Sequence, residues 1–153
     1  MSAQLDTLPR FRPLREADLD GVAAIERELY SHPWTRGNFD DSLRAGYSCW
    51  VMESDGLLCA YGVLMLGAEE AHLLNLSVAH AFQRRGFGRK LLEFFVLRSR
   101  EFGARAMFLE VRPSNEAGRA LYTTAGFRTL GVRPRYYPAA KGREDAILMG
   151  RDL

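Results

Sequence analysis

The chain has 153 residues, of which 47% are hydrophobic and 26% are charged, a composition typical of one folded domain and unlike that of a disordered chain. With 21 basic and 19 acidic residues, the formal net charge of +2 is too small to indicate a protein that binds nucleic acid directly. No apolar stretch reaches the ~20 residues of a membrane span, and residues 1–6 lack a signal-peptide pattern, so we expect a cytoplasmic protein without a membrane partner.

The cysteines and histidines are too few and too scattered for a disulfide scaffold or a metal centre. Cys49 and Cys59 flank a predicted turn, and reduced thiols are the expected state of both in a cytoplasmic chain. The three histidines have no spacing typical of metal ligands. We therefore expect neither a disulfide nor a bound metal.

The first half of the chain predicts two helices followed by antiparallel strands. Alternating apolar and polar residues predict a strand over Phe11–Arg15, and apolar residues at helical spacing predict a helix over Ala17–Leu29. Pro33 interrupts that pattern, and Thr35 is suited to cap a second helix through Leu43.

Three strands follow, and the first two are joined by a strong hairpin signal. The strands are predicted over Tyr47–Glu53, Leu57–Leu66 and Ala71–Val78. Asp55-Gly56 separates the first two, and Asp-Gly between apolar runs is typical of a tight hairpin. A second turn is predicted over Gly67–Glu70.

The second half predicts alternating helices and strands. In chain order these are a loop over Gln83–Gly88, a helix to Phe102, a strand over Ala106–Val111, a helix from Pro113 to a terminal Gly126, and strands over Phe127–Val132 and Ala146–Met149. Together with the early hairpins, this order predicts an α/β fold with a mixed sheet. The sequence contains no linker or repeat, so residues 1–153 are predicted to form a single domain.

The loop before the third helix is suited to bind phosphate. A helix N-terminus attracts anions, and Gly86 and Gly88 let a ligand approach the backbone closely. Three arginines add positive charge there: Arg84, Arg85 and Arg89. The dinucleotide fingerprint is incomplete because Leu91 replaces its last glycine, and no P-loop lysine follows. From the loop alone, a phosphate site and an ordinary basic turn are equally favoured.

Two motifs resemble those of the GNAT superfamily of N-acetyltransferases and together cover about residues 72–130. Val78 with the loop Gln83-Arg84-Arg85-Gly86-Phe87-Gly88 is similar to the family's acyl-CoA-binding motif. The segment Asn115…Ala120-Leu121-Tyr122…Gly126-Phe127 is similar to its second hallmark. The resemblance implies the GNAT fold, a central twisted mixed sheet flanked by helices. It also implies acetyl-CoA as co-substrate and no metal.

Segments towards both ends resemble a bacterial branch of this family. The similar segments are His32-Pro33-Trp34-Thr35, Leu109-Glu110-Val111-Arg112, Tyr136-Tyr137-Pro138 and residues 142–149. Members of that branch acetylate the N-terminal alanine of a small-subunit ribosomal protein. The resemblance therefore implies a ribosomal-protein peptide beginning with alanine as the second partner.

The resemblance also implies a set of coenzyme contacts. The loop would hold the pyrophosphate, the pantetheine arm would pair with the end of the preceding strand, and the Val78 N–H would stabilise the oxyanion. The implied contacts are Leu76, Ser77, Val78, Arg84, Arg85, Gly86, Phe87, Gly88, Arg89, Asn115 and Tyr122. For Asn115, capping of the helix that it precedes is the alternative.

Glu110 and Tyr122 are the two candidate catalytic residues. The two-residue period of a strand places Glu110 on the face opposite Leu109 and Val111. From the strand alone, an ion pair with Arg112 or another arginine explains Glu110 best, whereas the resemblance implies a general base. For Tyr122 the resemblance implies the acid that protonates the leaving thiolate, and the alternative is an aromatic plug with its hydroxyl at the surface.

The aromatic residues Trp34, Tyr136 and Tyr137 are candidates for binding the acceptor peptide. We expect Tyr136-Tyr137-Pro138 to form a loop, where rigid aromatic side chains suit a peptide groove. A core position that anchors the first helices explains Trp34 equally well.

Two other functions compete with protein acetylation. An acetyltransferase for a small amine would need a more acidic, closed pocket, and the Tyr-Tyr-Pro segment argues against it. A non-catalytic module that senses acyl-CoA has no need for both Glu110 and Tyr122, and the arginines alone give an RNA-binding domain little support.

Overall fold

The computed structural model describes residues 8–153, and residues 1–7, which include the segment expected to lack a signal peptide, lie outside that range. The strands are β1 (Arg10–Pro13), β2 (Ser48–Ser54), β3 (Leu57–Gly67), β4 (Glu70–Val78), β5 (Ala106–Val111), β6 (Arg128–Pro138) and β7 (Arg143–Asp152). The helices are α1 (Leu19–Leu29), α2 (Arg36–Arg44), α3 (Phe87–Phe102) and α4 (Glu116–Thr124). None of these helices is long and apolar enough to cross a bilayer.

The strands form one mixed sheet in the order β1-β2-β3-β4-β5-β7-β6. β4 and β5 pair in parallel through Glu70–Leu73 and Ala106–Leu109. β2 pairs antiparallel with β1 and β3, and β7 pairs antiparallel with β5 and β6. The predicted α/β fold with a mixed sheet is thus confirmed.

The described residues form two compact units, of which the first contains residues 8–64 together with Asn75–Leu92. Its hydrophobic core draws on α1, α2, β2 and β3. The buried core residues are Leu14, Leu19, Val22, Phe39, Cys49, Val51, Tyr61 and Val63. Thr35 caps α2 as predicted, because its side chain accepts the Asn38 N–H.

The second unit contains Met65–Leu74 and Glu93–Leu153. Alternate residues of β5 are buried, namely Met107, Leu109 and Val111, so its two-residue period is confirmed. Helix α4 ends as predicted, with Gly126 following the cap residue at a φ of 92°.

The two predicted tight turns are present. Asp55 and Gly56 have φ values of 53° and 76° and join Ser54 directly to its partner Leu57, as in a two-residue hairpin turn. The second turn places Ala68 and Glu69 at φ values of 50° and 64°.

The start of the chain differs from the prediction at both elements. β1 covers Arg10–Pro13 rather than Phe11–Arg15, and α1 begins at Leu19, after a short 3-10 helix over Glu16–Asp18. The cause is Asp18, whose carboxylate accepts the Arg15 N–H at 2.8 Å and the Arg12 guanidinium at 2.7 Å. These bonds shape the 3-10 turn between strand and helix.

The final two strands are longer than predicted. β6 extends through Tyr136, Tyr137 and Pro138, so the loop expected there is wrong. Pro138 pairs with Arg143 of β7, and the register of the two strands shifts between Arg133 and Tyr137. That irregularity weakens the alternating pattern from which the sequence would predict a strand.

Candidate active site

The loop predicted to bind phosphate is held in a fixed conformation at the end of β4. The Gln83 side chain donates a hydrogen bond from Nε2 to the Val78 carbonyl at 3.0 Å. Arg84 and Gly86 have φ values of 62° and 81°, in the left-handed region that favours glycine. An added Cβ at Gly86 would meet nothing within 4 Å, so the backbone angle, not crowding within the protein, favours glycine there.

Helix α3 begins directly after this loop. The Lys90 N–H donates to the Gly86 carbonyl at 3.1 Å, which marks the first turn of the helix. The N–H groups of that turn have no acceptor inside the helix and can bind an anion. The Arg85 guanidinium lies 5.6 Å from the Phe82 ring and the Lys90 ammonium 5.9 Å from the Phe87 ring, so two cations lie against aromatic rings of this segment.

The end of β4 is tied to helix α1 by its polar side chains. Ser77 is 2% exposed, whereas Leu76 and Val78 are half-buried. The Ser77 hydroxyl donates to Asn75 Oδ1 at 2.8 Å and lies 2.7 Å from the Tyr30 hydroxyl. Hydrogen bonds to Asn75 and Tyr30 therefore hold the strand end that carries the three residues expected to meet the pantetheine arm.

Glu110 combines a partly exposed side chain with one buried, unbonded oxygen. Its side chain is 27% exposed, yet Oε2 is buried and makes no hydrogen bond among the described residues. The nearest cation is Arg133, whose Nε lies 3.4 Å from Oε2. The alternative of an ion pair with Arg112 or another arginine is therefore confirmed for another arginine; Arg112 itself bonds to Glu144 and to the Pro138 carbonyl, at 3.2 and 2.7 Å.

Two tyrosines of β6 pack against each other and against Arg112 and Arg133. The Tyr136 and Tyr137 rings meet edge to face at 4.9 Å between centroids. Arg112 lies 4.4 Å over the Tyr137 ring, and Arg133 lies 5.6 Å over the Tyr136 ring. Burial and the negative charge of Glu110 raise the pKa of Tyr137 to about 12, so its hydroxyl stays protonated at neutral pH.

Glu144 fastens β7 to the start of helix α4. Its carboxylate accepts the Ser114 N–H at 2.8 Å and the Ser114 hydroxyl at 2.9 Å, in addition to Arg112. Desolvation opposes the ionised form, but the bonds from Ser114 and Arg112 prevail and lower the pKa of Glu144.

Asn115 acts as the cap of helix α4. Its Oδ1 accepts the Gly118 N–H at 3.0 Å. A Cβ at position 118 would lie 2.5 Å from Asn115 Nδ2, which explains a glycine inside this helix. The capping alternative for Asn115 is therefore confirmed, and its contact with the coenzyme stays a prediction.

Tyr122 is buried near the end of the same helix. It is 7% exposed, and its ring packs edge-on against Phe127 at 5.8 Å. This packing fits an aromatic plug, and the acid role of Tyr122 stays a prediction.

Trp34 belongs to the packing of the first two helices. The side chain is partly buried against the core of the first unit, and its ring lies 5.1 Å from Phe39. The Trp34 N–H donates to Glu26 Oε2 at 3.1 Å. The core position proposed as an alternative is thus present, while peptide binding by Trp34 stays a prediction.

Neither cysteine has the environment of a nucleophile. Cys49 and Cys59 are buried and free, and burial raises the pKa of each thiol to about 11. Within residues 8–153 no group of three His, Cys, Asp or Glu side chains is placed to hold a metal ion.

Sequence reasoning did not predict the bonding partners of three polar side chains around the predicted residues: Glu26, Arg133 and Glu144. Glu26 carried a usable signal, because it occupies the apolar face of α1 with Leu19, Val22 and Ala23. Arg133 and Glu144 carried none, since their partners lie more than twenty residues away in the sequence.

Comparisons with known proteins identify the family of the chain. The sequence profile of the Acetyltransferase (GNAT) family matches residues 19–127. The chain is 35% identical to the [Ribosomal protein bS18]-alanine N-acetyltransferase of Escherichia coli K12, covering 89% of this chain and 92% of that relative.

Solved structures extend the similarity to the fold. The crystal structure of the ribosomal-protein-S18-alanine N-acetyltransferase from E. coli superposes with a TM-score of 0.89 at 33% identity, over 95% of this chain and 94% of that one. A putative acetyltransferase, yncA from Salmonella typhimurium, solved with its cofactor acetyl-CoA, has a TM-score of 0.79 at 19% identity, over 96% and 95%. The second likeness supports the fold alone.

Proposed function

Since the chain belongs to the GNAT family of N-acetyltransferases, which take their acetyl group from acetyl-CoA, we propose that it acetylates the N-terminal alanine of ribosomal protein bS18. The acceptor comes from the name of the E. coli relative, an enzyme of the RimI type. The observation that carries the proposal is Glu110 Oε2, a buried carboxylate oxygen that receives no hydrogen bond from residues 8–153.

Glu110 is the proposed general base. A peptide α-amine has a pKa near ~8, so a carboxylate needs to remove only one proton, directly or through one water, to free the nitrogen lone pair. The nitrogen then bonds to the thioester carbon, and as the carbon–sulfur bond breaks it releases its surplus proton to water, while the departing thiolate takes up one proton. An unbonded acceptor beside a single exposed arginine is suited to that proton transfer.

Tyr122 is the proposed acid for the departing thiolate. A tyrosine hydroxyl is protonated at neutral pH and can donate its proton to sulfur. The role follows from the family resemblance, and burial of the ring supports it by holding the side chain in one position. With both cysteine thiols kept protonated by burial, direct transfer is favoured over an acyl-cysteine intermediate.

The coenzyme diphosphate is proposed to bind at the turn that precedes α3. The left-handed backbone at Arg84 and Gly86 supports this, because it directs successive N–H groups towards one side. The backbone of Leu76–Val78 would meet the pantetheine arm, and the Val78 N–H would stabilise the oxyanion.

The acceptor peptide is proposed to contact Trp34, Tyr136 and Tyr137. The edge-to-face pair of β6, fixed by two arginines, supports a rigid aromatic surface for the first peptide residues. Acetylation of a ribosomal protein would take place in the cytoplasm. The family match extends over parts of both units, which supports a single acetyltransferase domain over residues 1–153.

A peptide assay tests this function. The protein is incubated with acetyl-CoA and either a peptide with the bS18 N-terminus or the same peptide blocked at its amine and carrying a free lysine. Mass spectrometry should find one acetyl group on the first peptide, at its α-amine. Equal rates on both peptides would contradict α-amine specificity. A third reaction offers a polyamine as the only acceptor, and its acetylation in place of the peptides would favour the small-amine alternative.

A further inference from the structure

Glu26 in helix α1 is a buried carboxylate that the proposed chemistry does not use. The residue is 2% exposed, and burial raises its pKa. None of the ion pairs among the described residues includes it. A buried carboxylate without a cation is costly unless hydrogen bonds replace its water.

Donors from three segments of the first unit satisfy this carboxylate. The Tyr61 hydroxyl in β3 donates to Oε1 at 2.6 Å. The Trp34 N–H, between α1 and α2, donates to Oε2 at 3.1 Å. The Asn75 amide in β4 donates to both oxygens, at 3.4 and 3.3 Å.

The hydrogen bonds continue from Asn75 along β4. The Ser77 hydroxyl donates to Asn75 Oδ1 at 2.8 Å, which leaves the Ser77 oxygen to accept from Tyr30 at 2.7 Å. All donors in this series point towards Glu26. An amide cannot pass a proton along such a chain, so the arrangement fixes positions and does not relay protons.

Two of the segments joined at Glu26 bear residues of the proposed site. Trp34 is a proposed peptide contact, and Ser77 is the central one of the three β4 residues proposed to meet the pantetheine arm. An apolar side chain at position 26 would stabilise the core as well as the carboxylate does. A carboxylate instead accepts from both segments at once and sets the distance between them.

We propose that Glu26 is a positioning residue that couples the coenzyme-binding end of β4 to the backbone of Trp34. The inference rests on the proposed function for the role of these segments. Coenzyme bound along Leu76–Val78 then holds Ser77 and Asn75 in place. Through Glu26 it also holds the Trp34 segment in the position for the acceptor peptide.

Tryptophan fluorescence tests the coupling without any acceptor. The chain has two tryptophans, so Trp50→Phe leaves Trp34 as the only emitter. In this background acetyl-CoA should change the emission of Trp34. Adding Glu26→Gln should remove most of that change and weaken acetyl-CoA binding about tenfold, because glutamine presents a donor where the carboxylate accepted.

Tyr61→Phe is the matched control, since it removes a hydrogen bond to Glu26 but leaves the bonds to Trp34 and Asn75. It should lower the thermal midpoint while the emission change and acetyl-CoA affinity stay within about twofold of the parent. Asn75→Ala breaks the coupling without changing Glu26, and it should also remove the emission change if Glu26→Gln does not fold.

Three outcomes would overturn the coupling. In the first, acetyl-CoA does not change the Trp34 emission of the parent protein. In the second, the emission change is undiminished in both Glu26→Gln and Asn75→Ala. In the third, Tyr61→Phe loses as much of the emission change as Glu26→Gln does. A protein that binds acetyl-CoA with the coupled response but fails to acetylate the bS18 peptide would contradict only the proposed acceptor.

Discussion

Glu26 and Glu110 are two carboxylates in different units with opposite surroundings. Glu26 is almost completely buried, and its two oxygens receive donors from three segments. Glu110 is 27% exposed, but its buried Oε2 receives no hydrogen bond from the described residues. Burial alone would pick Glu26 as the more perturbed and thus the more reactive of the two.

Hydrogen-bond satisfaction reverses that choice. A carboxylate whose lone pairs are already filled stabilises its neighbours and has no capacity left for a substrate proton. A carboxylate whose buried oxygen lies beside an exposed arginine, with no hydrogen bond from the described residues, can accept one. The comparison teaches that hydrogen-bond satisfaction separates these two carboxylates in a way that depth below the surface does not.

The largest expected effect comes from replacing the Glu110 carboxylate by a neutral amide, which cannot act as a base. Glu110→Gln should lower kcat by about 10²- to 10⁴-fold, the range for a lost general base, with acetyl-CoA affinity almost unchanged. Steady-state kinetics on the bS18 peptide and calorimetry with acetyl-CoA measure the two quantities. An unchanged kcat would contradict the role of Glu110 as general base, and with it the functional difference between Glu110 and Glu26.

Arg133→Gln sharpens the same distinction by removing the cation and keeping the carboxylate. If Glu110 served only as the ion-pair partner of Arg133, Glu110→Gln and Arg133→Gln should lower kcat by the same factor. We expect kcat to change less than about fivefold, because exposed ion pairs of this kind contribute little. A loss as large as that of Glu110→Gln would favour the ion-pair interpretation of Glu110.

The phosphate-binding turn gives a smaller effect, on binding rather than turnover. Gly86→Leu should raise the dissociation constant of acetyl-CoA about tenfold, equivalent to about 1.4 kcal/mol. Gly46→Leu is the matched control, because the two glycines have nearly equal φ values, 81° and 79°, and neither has an atom within 4 Å of an added Cβ. Equal calorimetric constants for both variants would contradict the assignment of the turn.

The smallest effect compares two satisfied carboxylates, Glu26 and Glu144, through the pH dependence of stability. Glu144 has a lowered pKa, so it stabilises the fold above its ordinary value of 4.5 and loses that contribution as the pH falls. Glu26 has a raised pKa, so its contribution declines as the pH rises from 4.5 through the folded value.

Denaturant unfolding between about pH 3.5 and 6.5 separates the two. Glu144→Gln should flatten the acid loss of the free energy of unfolding, and Glu26→Gln should remove the decline on the other side. The same sign of change in both variants would contradict the opposite environments of these carboxylates.

The sequence predicted the elements whose cause is local. The Asp55-Gly56 turn, the Thr35 cap and the Gly126 helix end depend on residues next to one another, and all three are present. The two-residue period of β5 likewise placed Glu110 on the correct face. Family resemblance then supplied the function that these local patterns could not.

The partners of the site residues could not be predicted, because they come from distant segments. Arg133 reaches Glu110 only through the pairing of β5, β7 and β6, and the sequence offered Arg112 as the nearer cation. Because the register of β6 shifts between Arg133 and Tyr137, the sequence pattern did not predict that Tyr136 and Tyr137 belong to a strand. Glu26 gathers donors from segments up to forty-nine residues away.

A crystal structure with coenzyme A and a peptide beginning with alanine tests the central claim most directly. We expect the diphosphate to accept N–H groups of the Gln83–Arg89 turn, and the peptide amine to lie about 3 Å from Glu110 Oε2, or to reach it through one water. A diphosphate bound elsewhere, or a Glu110 Oε2 still facing only Arg133 with the peptide in place, would contradict the account.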